Sequence, residues 1–331
     1  MIQDDRIQSM ERQLTRIAKD PEGQELLARK FGLQITRADD PSIPKVAVLV
    51  PCNDALRPKT HAALEQMVAW TRQQGGVVVY QPRVTGHSLL PKVRNDMVEE
   101  VYRDPRPFTH ILFVDSDIVP DADYLVRLLA HKQDVVGTLC TRRSDPPIPN
   151  MFDFDAEAGQ FSMVRSWGPG LRQAASAGTG MILISKNALD KAAEAYIQCL
   201  HEQFVGFGVP EKIVAARRKV WEASREGEWF EMLSRANGAQ KWGEDVSFCW
   251  KCRLAGVPVY VDTDLLPLHL GEYGYSIPDY LSQMRILWPE QLCLLRARNT
   301  PEAEKMCAEI EKDMARVEQT IARLNAKDRD D

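Results

Sequence analysis

Two aspartates separated by a single residue follow an almost wholly apolar run of this sequence. The run is 109–114, and the aspartates are Asp115 and Asp117, with Ser116 between them. Carboxylate oxygens are the ligands that Mg²⁺ and Mn²⁺ prefer, and two of them at the end of a buried strand can hold such an ion against diphosphate oxygens. An acidic pair after a strand can also cap a helix or lie in solvent. The strongly apolar strand favours the metal site.

Three other places contain residue types that can do chemistry. Glu244 and Asp245 stand at the start of a predicted helix, where a carboxylate can act as a base or simply favour the positive end of the helix dipole. His269 follows a predicted strand, and its neutral imidazole can bind a metal or be a structural residue. Thr179 and Gly180 belong to a small-residue segment that allows close approach of a ligand to the backbone or forms a turn.

Strands and helices alternate through the segment that contains these residues. Apolar runs bounded by Gly, Pro, Asn and Asp alternate with segments of helical periodicity, which is typical of an α/β fold with a mainly parallel sheet flanked by helices. In such sheets ligands bind beyond the carboxyl ends of the strands, where Asp115 and Asp117 fall. The first elements predicted are strand 45–50, helix 58–74, strand 77–80, helix 89–103 and strand 109–114.

The chain divides into a central domain, 41–275, and two helical ends. Residues 1–40 and 276–331 show helical periodicity, and we interpret the polar helical stretch 187–236 as an inserted lid or acceptor-side element. Apolar residues recur every three or four positions over 302–324, as in a short heptad seam. The seam is expected to pack either on the N-terminal helix or across a homodimer, and the pattern leaves both open.

Composition narrows the class of protein. The net charge is −5 over 331 residues, which argues against a surface that is basic throughout and binds nucleic acid by charge alone. Seven scattered cysteines predict reduced thiols, and no apolar run reaches the ~18 residues of a membrane span. We therefore expect a soluble, cytoplasmic protein without a membrane partner.

The order of these motifs over about 45–275 resembles that of GT-A glycosyltransferases, specifically the family 2-like enzymes that contain a DxD motif. The resemblance implies a GT-A (Rossmann-like) fold and a nucleoside-diphosphate sugar donor, with a UDP-sugar favoured. It also implies Mn²⁺ or Mg²⁺ on Asp115, Asp117 and His269, with Asp245, or else Glu244, as the base of an inverting reaction. A retaining reaction needs no such base, and the sequence leaves the stereochemistry open.

The same resemblance implies a set of donor- and acceptor-binding residues. Side chains at the end of the first strand and on the helix before the DxD strand are expected at the nucleotide, although an Asx turn and a solvated helix face are equal alternatives. A tryptophan before the second acidic pair can stack on a sugar or base, or belong to the core. The implied contacts are Pro51, Asn53, Asp54, Arg94, Asn95, Asp115, Ser116, Thr179, Gly180 and Trp242.

The acceptor and two other function classes stay open. A glycan, a protein, a small molecule and a hydroxymethylated DNA base all fit as acceptors. A nucleotidyltransferase acting on sugar phosphates also combines an α/β sheet with paired carboxylates, but it would release pyrophosphate. A noncatalytic carbohydrate-binding module would release nothing.

Overall fold

The computed structural model describes residues 40–327 except 53–54, 87–88, 145, 158–159, 206–210, 225–226, 235–240, 272–273 and 297–299. The predicted N-terminal helices, up to residue 39, lie outside the described residues. Asn53 and Asp54 do so too, and their predicted donor contacts are therefore not described.

The described elements are eight helices and eighteen strands. The helices are α1 (Pro58–Gln74), α2 (Leu90–Arg103), α3 (Tyr124–Ala130), α4 (Lys186–Val205), α5 (Glu211–Ser224), α6 (Glu244–Leu254), α7 (Ile277–Arg296) and α8 (Pro301–Lys327). The longer strands are β1 (Lys45–Cys52), β3 (Arg83–Gly86), β4 (His110–Val114), β6 (Val135–Thr138), β9 (Met151–Asp155), β10 (Gln160–Met163), β11 (Leu171–Ala174), β13 (Met181–Ser185), β16 (Val259–Asp262) and β17 (Leu268–Leu270). The two-residue strands are β2 (Val78–Val79), β5 (Ile118–Val119), β7 (Thr141–Arg142), β8 (Ile148–Pro149), β12 (Ser176–Ala177), β14 (Leu233–Ser234), β15 (Lys241–Trp242) and β18 (Gly274–Tyr275).

The main sheet has eight strands in the order β11-β16-β6-β13-β4-β1-β2, with β3 also paired to β1. Pairs β1–β2, β1–β3, β1–β4 and β6–β16 are parallel, whereas β13 is antiparallel to both of its neighbours and β11 is antiparallel to β16. The predicted α/β class, with a mainly parallel sheet flanked by helices, is confirmed. The reversed direction of β13 makes the sheet mixed.

Strand β1 shows why this sheet lies inside the protein. All eight of its residues are buried, and successive side chains point to opposite faces. Val46 and Val48 pack with Met67 of α1, whereas Ala47 and Leu49 belong to the core on the other face. The continuous apolar run therefore reflects a strand that is covered on both faces.

The helical stretch 187–236 contributes to the core of the domain. Leu189 on α4 is fully buried, as are Trp229 and Phe230 in the segment that follows α5. The indole nitrogen of Trp229 donates a hydrogen bond of 2.9 Å to the carbonyl of Leu189. The helical character agrees with the prediction, and these side chains are packed like a core; the role of the stretch as a lid or acceptor-side element stays a prediction.

The C-terminal helical seam is covered within the same chain. Helix α8 packs along α7, and Ala303 and Cys307 form a small apolar cluster with Leu292 and Leu295. Val317 reaches the main core. These contacts cover part of the seam within the chain; the N-terminal helix lies outside the described residues, and packing on it or across a homodimer stays a prediction. Among the described residues, no helix combines the length and apolar character that crossing a membrane requires.

Candidate active site

Pairing between two short strands places His269 beside the turn that contains Asp115 and Asp117, the DxD turn. After β4 the chain turns at Asp115, whose carbonyl accepts a hydrogen bond of 3.0 Å from the Ile118 amide. Strand β5 then pairs antiparallel with β17, which sets His269 opposite Ile118. The Leu270 amide also donates to the carbonyl of Asp117 at 2.8 Å. Backbone pairing therefore fixes the position of His269 relative to Asp117.

The side chains of Asp117 and His269 face each other. Nε2 of His269 lies 3.3 Å from Oδ1 of Asp117, and Nη1 of Arg143 lies 3.1 Å from Oδ2. Nδ1 of His269 is 2.7 Å from the carbonyl of Thr141, so Nδ1 carries the proton that it donates. In the neutral ring, Nε2 therefore presents a lone pair towards Asp117.

The charges around this pair shift both pKa values. Burial raises the pKa of Asp117, but the hydrogen bond and charge of His269 and the charge of Arg143 outweigh it, so the pKa lies below its usual value. Burial lowers the pKa of His269, but the hydrogen bonds to Asp117 and to the Thr141 carbonyl, together with the charge of Asp117, outweigh it and the pKa is raised. Asp117 is thus held as an anion, as a metal ligand must be.

Asp115 is anchored by a buried arginine. Nη2 of Arg94 donates a hydrogen bond of 2.6 Å to Oδ1 of Asp115, and Nε of the same guanidinium lies 3.9 Å from Oε1 of Glu244. The Arg94 side chain is 0% exposed, and its guanidinium carbon lies 5.0 Å from the ring centre of Phe113 and 6.0 Å from that of Phe230. Burial raises the pKa of Asp115 although Arg94 opposes the shift. Arg94 was expected at the donor's phosphate or ribose; the structure shows it between the two acidic motifs instead.

A cleft of about 470 Å³ opens over the DxD turn. It brings together the ends of β1 and β4, the start of α1 and the histidine of β17. Arg57 and Arg143 add two cations, and the Arg57 amide donates to the carbonyl of Ser116 at 3.1 Å. The lining residues are Pro51, Ala55, Leu56, Arg57, Pro58, Leu90, Asp115, Ser116, Asp117, Arg143 and His269. Arg57 was missed in the sequence, because an arginine before a helix gives no signal of its own.

The second acidic motif lies at the first turn of α6, outside the lining of this cleft. Oδ2 of Asp245 accepts a hydrogen bond of 3.4 Å from the side-chain amide of Asn150, and Oδ1 lies 2.7 Å from the amide of Val246. Burial raises the pKa of Glu244, against the opposing charge of Arg94. Of these two residues, Glu244 is the one that the described contacts connect to Asp115, because Arg94 contacts both carboxylates.

Several expected donor or acceptor contacts have structural partners. The side-chain amide of Asn95 donates to the Phe230 carbonyl at 2.8 Å and accepts from the Phe230 amide at 2.9 Å, so it secures a buried segment. Thr179 is buried, and the carbonyl of Gly180 accepts a 2.8 Å hydrogen bond from the Asp115 amide. These contacts give Asn95 and Gly180 structural partners, and the expected ligand contacts of Asn95 and Thr179 stay predictions.

Trp242 belongs to an aromatic group. Its ring centre lies 5.2 Å from that of Phe161 and 5.4 Å from that of Trp250. Of the two alternatives that the sequence left for Trp242, the described contacts fit packing among aromatic side chains.

The donor atoms around the DxD turn fit a divalent cation in part. Among the described residues, no three His, Cys, Asp or Glu side chains already form a metal-binding group. The 3.3 Å between Asp117 Oδ1 and His269 Nε2 is close to the ~3 Å that separates adjacent octahedral ligands with bonds of about 2.1 Å. Mg²⁺ is commonly held by one or two carboxylates together with substrate phosphates and water. Two ligands from the chain, with Asp115 beside them, match that pattern.

Comparison with known proteins gives structural likeness only. No family model and no curated protein matches the chain. Similar solved structures include the catalytic domain of Drosophila beta1,4-galactosyltransferase 7 in complex with xylobiose, with 16% identity, a TM-score of 0.36 and coverage of 70% of this chain and 68% of that chain. A glycosyltransferase involved in glycosylation of the major capsid of PBCV-1 has 13% identity, a TM-score of 0.26 and coverage of 54% and 75%. S. aureus TarS 1-349 has 15% identity, a TM-score of 0.30 and coverage of 85% and 73%. Similarity at this level does not assign the chain to a family.

Proposed function

We propose that the protein is a divalent-cation-dependent glycosyltransferase that uses a nucleoside-diphosphate sugar. The observation that carries the proposal is the cleft in which Asp117 and His269 face each other, with Asp115 beside them and two arginines in the lining. A diphosphate binds both to a divalent cation held by oxygen and nitrogen ligands and to the planar guanidinium group of an arginine. The motif order that resembles GT-A enzymes supports the same proposal.

Asp117 and His269 would hold the cation, which supplies charge neutralisation for the diphosphate leaving group. Arg57 and Arg143 would bind phosphate oxygens from the walls of the cleft, and Arg143 would then exchange its contact with Asp117 for one with the donor. Thr141 keeps the imidazole of His269 oriented by accepting from Nδ1.

Asp245 is the proposed base for an inverting transfer, and Glu244 is the alternative. Asn150 and the helix start orient the Asp245 carboxylate, which leaves lone pairs free to accept an acceptor hydroxyl's proton. Glu244 has the raised pKa that suits a base, and its neighbour Arg94 connects it to Asp115. Glu244→Gln and Asp245→Asn, compared at saturating donor, separate the two because only loss of the base should abolish turnover.

The donor and acceptor are the parts to identify by experiment. A UDP-sugar is the first donor to test, with Mn²⁺ and Mg²⁺ in parallel. Acceptors to screen are glycans, proteins, small molecules and hydroxymethylated DNA, with products read by mass spectrometry. Release of nucleoside diphosphate supports glycosyl transfer, whereas release of pyrophosphate would support the nucleotidyltransferase alternative.

Asp117→Asn tests the cation site against a matched control. We expect it to lower turnover by ~10²-fold or more, and a chelator to abolish the wild-type activity. Asp96→Asn is the control, because Asp96 is 41% exposed on α2 and pairs with Lys92 at the surface. Turnover that survives both the chelator and Asp117→Asn would overturn the metal role.

A further inference from the structure

A second polar cleft lies at the β11 edge of the main sheet. It has a volume of about 470 Å³ and is formed by edge strand β11, the loop before it and helix α8. Three strands, β13, β6 and β16, separate β11 from the DxD strand β4. At ~4.8 Å per strand, β11 and β4 are on the order of 20 Å apart. The lining residues are Ser166, Trp167, Gly168, Pro169, Arg172, Arg316, Gln319, Thr320 and Arg323.

The lining of this cleft is cationic. Arg172, Arg316 and Arg323 contribute to it, and no carboxylate is among its lining residues in the described part of the chain. Each arginine has one acidic neighbour behind it: Arg172 Nη2 lies 2.7 Å from Asp153, Arg316 Nη1 3.9 Å from Asp313 and Arg323 Nη2 3.3 Å from Asp264. Because a guanidinium has five N–H donors, one carboxylate leaves several of them available.

Several buried donors in the lining have no hydrogen-bond partner. These are Nε, Nη1 and Nη2 of Arg323 and the indole Nε1 of Trp167, a residue that is only 4% exposed. Asp264 lies near Arg323, but its Oδ1 also lacks a hydrogen bond. A buried donor without an acceptor costs ~1–3 kcal/mol, and folded proteins contain few of them. Since Nη2 of Arg323 lies 3.3 Å from Asp264 as an ion pair, three nitrogens, Nε and Nη1 of Arg323 and Nε1 of Trp167, keep donor capacity that a ligand rich in acceptors would satisfy.

The chemistry of the lining identifies the class of that ligand. Guanidinium and indole N–H groups only donate, so the ligand must accept several hydrogen bonds. A phosphoryl group offers three oxygens and matches the planar fork of arginine. The hydroxyl of Ser166 donates to Asp313 and that of Thr320 to the Arg316 carbonyl, so the donors that a ligand can use are those of the arginines and of Trp167.

We propose that the cleft between β11 and α8 binds a phosphoryl group that is separate from the diphosphate of the sugar donor. Free phosphate and a phosphomonoester present the same chemistry to this cleft, and they differ in whether the attached group adds affinity. The site stands independently of the proposed glycosyl transfer, because it shares no lining residue with the first cleft.

The test is calorimetric titration of the full chain with inorganic phosphate, and with glucose 6-phosphate against glucose, at constant ionic strength. We expect saturable phosphate binding that weakens at least about tenfold in Arg316→Gln and in Arg323→Met, since each removes charge-assisted hydrogen bonds. Tighter binding of glucose 6-phosphate than of phosphate would identify a phosphomonoester as the source, and equal binding would identify the free ion.

Two controls make the result decisive. Arg285→Gln removes an exposed arginine of α7 that pairs with Glu318, and it should bind phosphate like the wild type. Arg57→Gln/Arg143→Gln disables the first cleft and should also retain binding. Arg316→Gln is expected to fold normally, because the Arg316 side chain is 47% exposed, so its loss of phosphate binding cannot be attributed to misfolding. No saturable binding, or binding lost in the Arg57/Arg143 double variant and kept in Arg316→Gln, would overturn the proposal.

Discussion

Replacing Arg94 by methionine tests how the DxD turn is held. Arg94→Met keeps a long, flexible side chain against Phe113 and Phe230 but removes the guanidinium that lies between Asp115 and Glu244. Both carboxylates then lose their cation. We expect lower stability together with weaker cation binding, because an Asp115 without Arg94 is more easily protonated.

The loss of stability can be worked from burial. Removing one partner of a buried ion pair costs ~3–5 kcal/mol. The side chains of Asp115 and Glu244 are 27% and 17% exposed, so water partly replaces the lost partner and the lower value, about 3 kcal/mol, applies. Nη1 of Arg94 is buried without a hydrogen-bond partner, and its removal returns ~1 kcal/mol, whereas Nε is counted with the ion pair to Glu244. The net expectation is a loss of about 2 kcal/mol.

Urea unfolding and a double-mutant cycle measure this prediction. The midpoint should fall at an unchanged m-value, and Arg94→Met combined with Asp115→Asn should show a coupling energy of ~1–3 kcal/mol. Arg103→Met is the control on the same helix: Arg103 is 53% exposed and pairs with Glu99, which predicts a loss below ~1 kcal/mol. Equal losses in the two arginine variants, or zero coupling, would refute the anchoring role of Arg94.

Three further predictions concern residues around the site and the core. Asn95→Ala removes two hydrogen bonds from a buried backbone segment. We therefore expect the free energy of unfolding, measured in urea, to fall by ~2 kcal/mol while the KM for the donor stays unchanged. A raised KM without a loss of stability would instead support a direct contact between Asn95 and the nucleotide. Gly178→Ala places a Cβ on the side chain of Asn150, which must then leave Asp245, so kcat should fall while donor Kd is unchanged. An equal loss of donor binding would contradict this. Burial raises the pKa of Tyr280 to about 12, against ~10 when unfolded, so the folded chain keeps the phenol proton longer and stability falls as pH rises through this interval. In Tyr280→Phe that alkaline loss should be smaller by about 2–3 kcal/mol, and identical pH profiles would show that Tyr280 is not its source.

The elements that the sequence predicts best are those whose start, end and burial are indicated by consecutive residues. Helix Pro58–Gln74 has the predicted bounds and strand His110–Val114 lies within one residue of them, since a proline start, a glycine stop and unbroken apolar runs are local signals. The direction of β13 was not predictable, because strand pairing depends on contacts far along the chain. The buried side chains of 187–236 were not predictable for a related reason. A polar average concealed Leu189, Trp229 and Phe230, whose burial depends on the core that they meet.

The candidate site divides in the same way. Chemistry-bearing residue types pointed to Asp117 and His269, and the β5–β17 pairing brings their side chains within 3.3 Å. Arg94 and Asn95 were treated together because they are adjacent on a helix. Neighbouring helix positions point about 100° apart, so one reaches the carboxylates and the other reaches the Phe230 backbone. Which residue faces which partner is set by packing that no local pattern contains.

These two neighbours on α2 give the helix a part in both acidic motifs. Arg94 binds the DxD turn directly. Asn95 holds Phe230, and the next amide, that of Glu231, donates to the Ser247 hydroxyl on α6 at 3.2 Å. Helix α6 also carries the second acidic pair. Loss of Arg94 should therefore impair cation binding, whereas loss of Asn95 should disturb the second acidic pair and leave the cation site intact.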